Sequence, residues 1–208
     1  MYSTIEIASF IGAKTEGLKG REIDWLLTDS RSLCYPESTL FFAIKTEVGN
    51  GHLYVADLYQ RGVRAFVVSE EVEGDFPEAD FLFVQNTLFA LQSLAAQHRS
   101  RFDIPVIGIT GSNGKTVVKE WLYQLLAPDF TVTRSPRSYN SQTGVPLSVW
   151  GLNEHTQIGI FEAAISKKNE MVALERIIKP TIGIFTCLGG AHQENFSTFE
   201  ENVWRSFN

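Results

Sequence analysis

Short apolar runs of strand length alternate along this chain with stretches whose apolar residues recur at helical spacing. In the first half the runs are Trp25 to Thr28, Leu40 to Ile44, Ala65 to Val68 and Phe81 to Val84. Residues 3 to 12 predict a short amphipathic helix, with Ser3 as N-cap, Ile5, Ile7, Ala8 and Ile11 apolar, and Gly12 as the stop. Leu53 to Gln60 predicts a second helix, closed by Gly62. A third starts at the N-cap Asn86, carries Leu88, Leu91, Leu94 and Ala95 on one face, and runs to about His98, where His98, Arg99 and Arg101 complement the helix dipole. Phe102 to Pro105 reads as a linker.

The second half repeats the alternation more sharply: strand Val106 to Thr110, a Gly-rich turn, then a helix from Lys115 to Leu126. Val132 falls in a further strand, and Arg134 to Thr143 is polar and loop-like. Gly144 to Trp150 opens a helix that tolerates Pro146 in its first turn. Ile158 to Phe161 and Thr181 to Phe185 read as buried strands on either side of a helix from Glu170 to Ile178. The order βαβαβ implies a mainly parallel sheet covered by helices, an α/β architecture. A boundary near residue 100 gives two units of similar size, 1–100 and 101–208. The last residues, from Thr198 to Asn208, read as a helix cut short, so the chain is expected to be a fragment.

Composition narrows the classes. With 18 Lys+Arg against 24 Asp+Glu, the net charge of -6 leaves no general basic footprint for nucleic acid. The longest apolar runs are broken by Pro and Gly before they reach membrane-spanning length, and Met1 is followed by neither a basic nor an apolar leader segment. No nucleic acid, no membrane insertion and a cytoplasmic location are therefore the expectations. Cys34 and Cys187 stand far apart without metal-type spacing, which predicts free thiols.

The strongest chemical signal is Gly108-Ile109-Thr110-Gly111-Ser112-Asn113-Gly114-Lys115-Thr116, set between an apolar strand and an amphipathic helix. Glycines let successive N–H groups of Gly111, Ser112, Asn113, Gly114 and Lys115 converge on phosphate oxygens at a helix N-terminus. Lys115 supplies a mobile cation, and Thr116 a hydroxyl for a magnesium ion. The strict phosphate-loop pattern needs Gly at 109, where Ile109 stands. The bland alternative is a Gly-rich turn with an exposed lysine. Glu162, at the end of its strand, is a candidate magnesium ligand, against the alternative of a solvated carboxylate. His192 falls on a Gly-rich loop after Phe185, at the same sheet edge.

Together these pieces resemble the Mur ligase family, ATP-dependent amide-bond-forming enzymes of peptidoglycan synthesis. Gly108 to Thr116 matches the family's T-G-x-N-G-K-T loop, Glu162 its magnesium-binding glutamate, and Ala191-His192 its later metal-site histidine motif. Asp29-Ser30-Arg31, Leu40 to Ile44 and Gly51-His52 resemble signatures of the family's uridine-nucleotide-binding domain. That makes Ser30, Arg31 and His52 candidate substrate contacts; a turn cap and a helix-start histidine are the alternative reading. Tyr139 to Pro146 is similar to the N-x-x-x-G-V-P segment of the branch that joins D-alanyl-D-alanine to UDP-N-acetylmuramoyl-tripeptide, and Asn140 is a candidate contact there. Pro180 to Ile184 with Ala191 to Phe196 resembles members of that branch that carry an alanine racemase domain behind the ligase.

The resemblance implies ATP and Mg2+ as cofactors, UDP-N-acetylmuramoyl-tripeptide and D-alanyl-D-alanine as substrates, and a monomer. It implies an N-terminal UDP-substrate domain over 1–100 and the first part of an ATP-binding central domain over 101–208. Lys115, Glu162 and His192 would be catalytic, with Thr116, Glu162 and His192 on metal. Departures from the family pattern are Ala164 for Gly, Cys187 for Asn, Gly190 for Glu, and Trp204-Arg205-Ser206 where a carbamylated lysine is often found. The fragment is expected to bind nucleotide or UDP-substrate without completing ligation. Two alternatives stay open: another Mur-type or folylpolyglutamate-type ligase, and a degenerate non-catalytic nucleotide-binding module.

Overall fold

The computed structural model describes residues 1–47, 49–164 and 170–187. The chain divides into two compact units, Met1–Leu94 and Ala95–Asn208, and the division falls inside the helix Thr87–Arg99.

In the first unit, four strands form a parallel sheet in the order Trp25–Leu27, Thr39–Phe42, Ala65–Val68, Asp80–Phe83. Every residue of Thr39–Phe42 and Ala65–Val68 is buried, as parallel strands covered on both faces require. Phe41, Val55, Leu58, Val63 and Phe66 pack together on one side. The helix Thr4–Ile11 begins with a full capping box, Ser3 with Glu6, and ends at Gly12 in the left-handed conformation. The Asn86 side chain accepts from Phe89 N–H at 2.9 Å, so the cap read from the sequence is the one formed.

Two differences are local. The stretch expected to be helical from Leu53 opens as a 3-10 turn, Gly51–Tyr54, before the α-helix Val55–Gln60, because the Asn50 side chain accepts from His52 N–H and tightens the entry. Tyr2–Ser3 with Glu22–Ile23, and Lys45–Thr46 with Gly49–Asn50, form two-residue antiparallel pairs that no apolar pattern announces.

The second unit has a four-stranded, wholly parallel sheet in the order Val132–Arg134, Ile158–Glu162, Val106–Thr110, Ile182–Phe185. The helix Lys115–Leu126 covers one face, where Val118, Leu122 and Leu126 meet Ile107, Ile109 and Ile160. The helices Gly144–Val149 and Glu170–Ile178 cover the other, where Val145, Val149, Leu174 and Ile177 surround Val106 and Phe161. Alternation along Val106–Thr110 thus serves two cores at once. Burying Phe161 fully is worth roughly 1.5–3 kcal/mol. Arg134, expected in a loop, is the last residue of its strand. It is in register with Ile160, and its guanidinium pairs with Glu120 at 2.9 Å and lies over the Tyr123 ring.

Val106–Thr110 and Ile158–Glu162 are neighbours, so Thr110 and Glu162 end at the same sheet edge, where open α/β sheets bind ligands. Cys34 and Cys187 are free thiols. Among the described residues no helix is long and apolar enough to cross a membrane.

Candidate functional site

The site of the second unit starts at the loop between Thr110 and Lys115. Gly111 has φ 129°, and a Cβ there would lie 2.3 Å from Thr186 Oγ1 and 3.0 Å from Cys187 N. Only glycine fits a conformation so placed and so crowded. The loop is anchored to the neighbouring strand's end by Ser112 N–H to Cys187 O at 3.0 Å, Thr186 N–H to Thr110 O at 2.9 Å, and the Thr186 hydroxyl on Asn113 O. Gly114, with φ 84°, starts the helix Lys115–Leu126. The first N–H groups of a helix have no intrahelical acceptor and attract anions. Lys115 Nζ folds back onto the carbonyls of Gly111 at 2.6 Å and Ser112 at 3.4 Å.

Behind the loop lies a buried ionic cluster. The Thr116 hydroxyl donates to Glu162 Oε2 at 3.0 Å. Lys119, three residues on, is wholly buried, and its Nζ stands 2.9 Å from Glu162 Oε1 and 3.2 Å from Glu120 Oε1. The same ammonium donates to Ser135 O at 2.8 Å and to Arg137 O. Glu162 is also wholly buried, yet its Oε1 accepts no hydrogen bond; its contact with Lys119 is an ion pair alone. Glu162 N–H donates to Ser135 Oγ at 3.2 Å, and Ala164 N–H to Asn140 O at 2.9 Å, which brings the Tyr139 to Pro146 segment to the same edge.

The structure thus gathers Gly111, Ser112, Asn113, Gly114, Lys115, Thr116, Glu162 and Asn140 at one edge of the second unit. Glu162 is not the solvated carboxylate of the alternative reading. Ser30, Arg31 and His52 belong to the first unit. Asp29 caps the turn Ser30–Ser32 and is paired with Arg31 at 2.7 Å, an arrangement that lowers the carboxyl's pKa and raises the guanidinium's. Ser30 O accepts from Arg61 Nη1 at 2.9 Å.

His52 is buried with both ring nitrogens engaged: Nδ1 lies 2.7 Å from Asn50 Oδ1, and Nε2 accepts from Ser69 N–H at 2.9 Å. Burial lowers its pKa, which fits the neutral ring that these bonds need. The preceding Gly51 is demanded by close approach, since a Cβ would lie 2.7 Å from Ile44 N. His192, Gly190 and the Trp204-Arg205-Ser206 stretch lie outside the described residues.

Lys119, Ser135 and Arg137 were not singled out from the sequence. A signal existed for Lys119: it follows Lys115 by four and Thr116 by three, the spacing that stacks side chains on one helical face.

A parallel sheet with a Gly-rich loop running into a helix, and a buried carboxylate on the next strand, defines an α/β unit of phosphate-loop type. Residues 109–205 match the Mur ligase middle domain, which places the second unit in the Mur ligase family. The UDP-N-acetylmuramoyl-tripeptide--D-alanyl-D-alanine ligase of Synechocystis sp. is 36% identical over 170 residues, covering 82% of this chain and 37% of that ligase. A crystal structure of MurF from Acinetobacter baumannii superposes with TM-score 0.87 at 26% identity, over 99% of this chain and 45% of that one. MurF ligase from Thermotoga maritima, solved in complex with ADP, gives 0.75 at 27% identity, over 88% and 42%. The chain therefore spans 37–45% of the length of these relatives.

Proposed function

We propose that this chain is the nucleotide-handling part of an ATP-dependent ligase that joins D-alanyl-D-alanine to UDP-N-acetylmuramoyl-tripeptide. One observation carries the reading: Lys115, Thr116 and the buried, incompletely hydrogen-bonded Glu162 converge on the N-terminus of the loop helix. ATP is the nucleotide, as the ADP complex of the Thermotoga maritima relative supports. In the proposed reaction a terminal carboxylate of the tripeptide attacks the γ-phosphorus, releasing ADP, and the amine of D-alanyl-D-alanine then displaces phosphate from the acyl phosphate.

The chain's own residues position and neutralise charge. Loop N–H groups receive phosphate oxygens, and Lys115 exchanges the Gly111 carbonyl for a phosphate. Mg2+ fits the remaining donors. Thr116 Oγ1 and Glu162 Oε2, 3.0 Å apart, would hold the ion through the hard oxygen donors it prefers, with phosphate and water as its further ligands. When bound, the ion screens charge on the transferring phosphoryl group.

The first unit would receive the uridine nucleotide. Ser30 and Arg31 would contact it, while His52 would act through the turn that it holds. Asn140 would border the reacting carboxylate, and His192 would join the metal site. The protein would work in the cytoplasm as a monomer.

Calorimetric titration of the 208-residue chain with a non-hydrolysable ATP analogue and Mg2+ tests the reading. Binding is expected, and Lys115→Ala should weaken it by roughly 10- to 100-fold, the worth of a charge-assisted contact, without unfolding the chain. Absence of binding by the folded chain, or equal binding by Lys115→Ala, would overturn it.

A further inference from the structure

We propose that Lys119 is a built-in competing cation: it holds the charge of Glu162 while the site is empty of nucleotide, and so makes divalent-metal binding conditional on nucleotide phosphates. The inference rests on the nucleotide-binding reading above and adds an order of binding to it.

The geometry is specific. Lys119 Nζ reaches four oxygens, those of Glu162, Glu120, Ser135 and Arg137, from a fully buried position. Its contacts come from its own helix, from the end of strand Ile158–Glu162 and from the turn after Arg134, so the ammonium is fixed in place. Glu120 is shared with Arg134, whose Nη2 lies 2.9 Å from Glu120 Oε2. The cluster therefore carries two cations and two carboxylates, a balanced set before any metal arrives.

A divalent ion at Glu162 Oε2 would share the carboxylate with this ammonium, which holds the other oxygen, Oε1, at 2.9 Å in a buried setting where like charges are poorly screened. The nucleotide's phosphates supply both the missing negative charge and further metal ligands. Metal and nucleotide should therefore bind as a coupled pair, each raising the other's affinity by the same factor. Lys115 has a different part: it lies on loop carbonyls and is drawn to the phosphates directly.

The test is calorimetric titration with MgCl2 alone, with a non-hydrolysable ATP analogue alone, and with both, in the wild-type chain and the Lys119→Arg and Lys119→Met variants. In the wild type the analogue should raise Mg2+ affinity roughly 100-fold. Lys119→Met should bind Mg2+ alone about tenfold or more tightly than wild type, with the coupling reduced by the same factor, whereas Lys119→Arg keeps the charge and the weak metal-only binding. A purely structural lysine would not separate the two variants in this way. Lys119→Met with a native circular dichroism spectrum and no gain in Mg2+ affinity would overturn the proposal. If that variant does not fold, the wild type decides: Mg2+ binding alone within tenfold of its affinity beside the analogue would overturn it. Failure of the analogue to bind wild type at all would sink the nucleotide reading together with this one, while analogue binding with unchanged coupling in Lys119→Met strikes Lys119 alone.

Discussion

Each unit places a polar cluster beyond the carboxyl ends of its central strands, and the two clusters are finished differently. Around His52 the polar groups are paired within the protein: Asn50 holds the ring and Glu70, Ser69 N–H meets Nε2, and Lys45 lies 2.6 Å from Glu70. Around Glu162 one carboxylate oxygen accepts no hydrogen bond although it is buried, and the loop lysine rests on carbonyls at the mouth of a helix. Buried polar groups are normally hydrogen-bonded, so the fully hydrogen-bonded cluster reads as scaffold, and the one in which a carboxylate oxygen is held by an ion pair alone reads as a place prepared for a ligand. Both the proposed function and the role given to Lys119 rest on that contrast.

The largest expected effect comes from opening the second cluster further. Glu162→Ala would remove the carboxylate nearest the buried Lys119 ammonium, leaving it Glu120 and two carbonyls, and should cost about 3 kcal/mol of stability, read from urea unfolding. Pairing Glu162→Leu with Lys119→Met should recover most of that stability without recovering nucleotide binding. Recovery of both would mean that the cluster serves packing only.

The next effect compares two buried histidines, one in each unit. His98 is held down to about 4 by burial, although its Nε2 lies 3.0 Å from Leu152 O. His52 is lowered in the same direction. Each is neutral in the fold, while the unfolded chain takes up a proton below about 6.5. Stability should therefore be intact above pH 6.5 and decline as the pH falls from 6.5 toward 4, with His98 contributing at most about 3 kcal/mol. His98→Gln should flatten that decline in unfolding curves collected across the range; an unchanged slope would contradict the assignment.

The smallest effect probes the loop itself. Gly111→Ala forces a Cβ toward the Thr186 hydroxyl and the Cys187 backbone at a positive φ, and should cost about 1–3 kcal/mol and weaken nucleotide binding. Gly183→Ala is the control, because nothing lies within 4 Å of a Cβ there. Equal effects at the two positions would show that the loop is not held by the contacts described.

Much of the fold could be read from the sequence because its signals are local. The helix Lys115–Leu126 and the strand Val106–Thr110 have the bounds expected from their periodicity and flanking glycines. Ser3 and Gly12 close their helix as read, for reasons contained within a few residues of each end. What was not legible depends on pairing across distance. Lys119 looks like a solvated mid-helix lysine until Glu162 and Ser135, from two other segments, are brought against it. His52 looks like a helix-start residue until Ser69 reaches its ring. The strand order, with Val106–Thr110 between Ile158–Glu162 and Ile182–Phe185, leaves no trace in spacing, yet it is what sets Glu162 beside the loop.

Hydrogen exchange measured with and without a non-hydrolysable ATP analogue and Mg2+ tests the contrast between the clusters most directly. The account expects new protection at residues 111–116 and around Glu162, and no change across residues 50–70. Protection that is absent from 111–116, or that appears equally around His52, would contradict it.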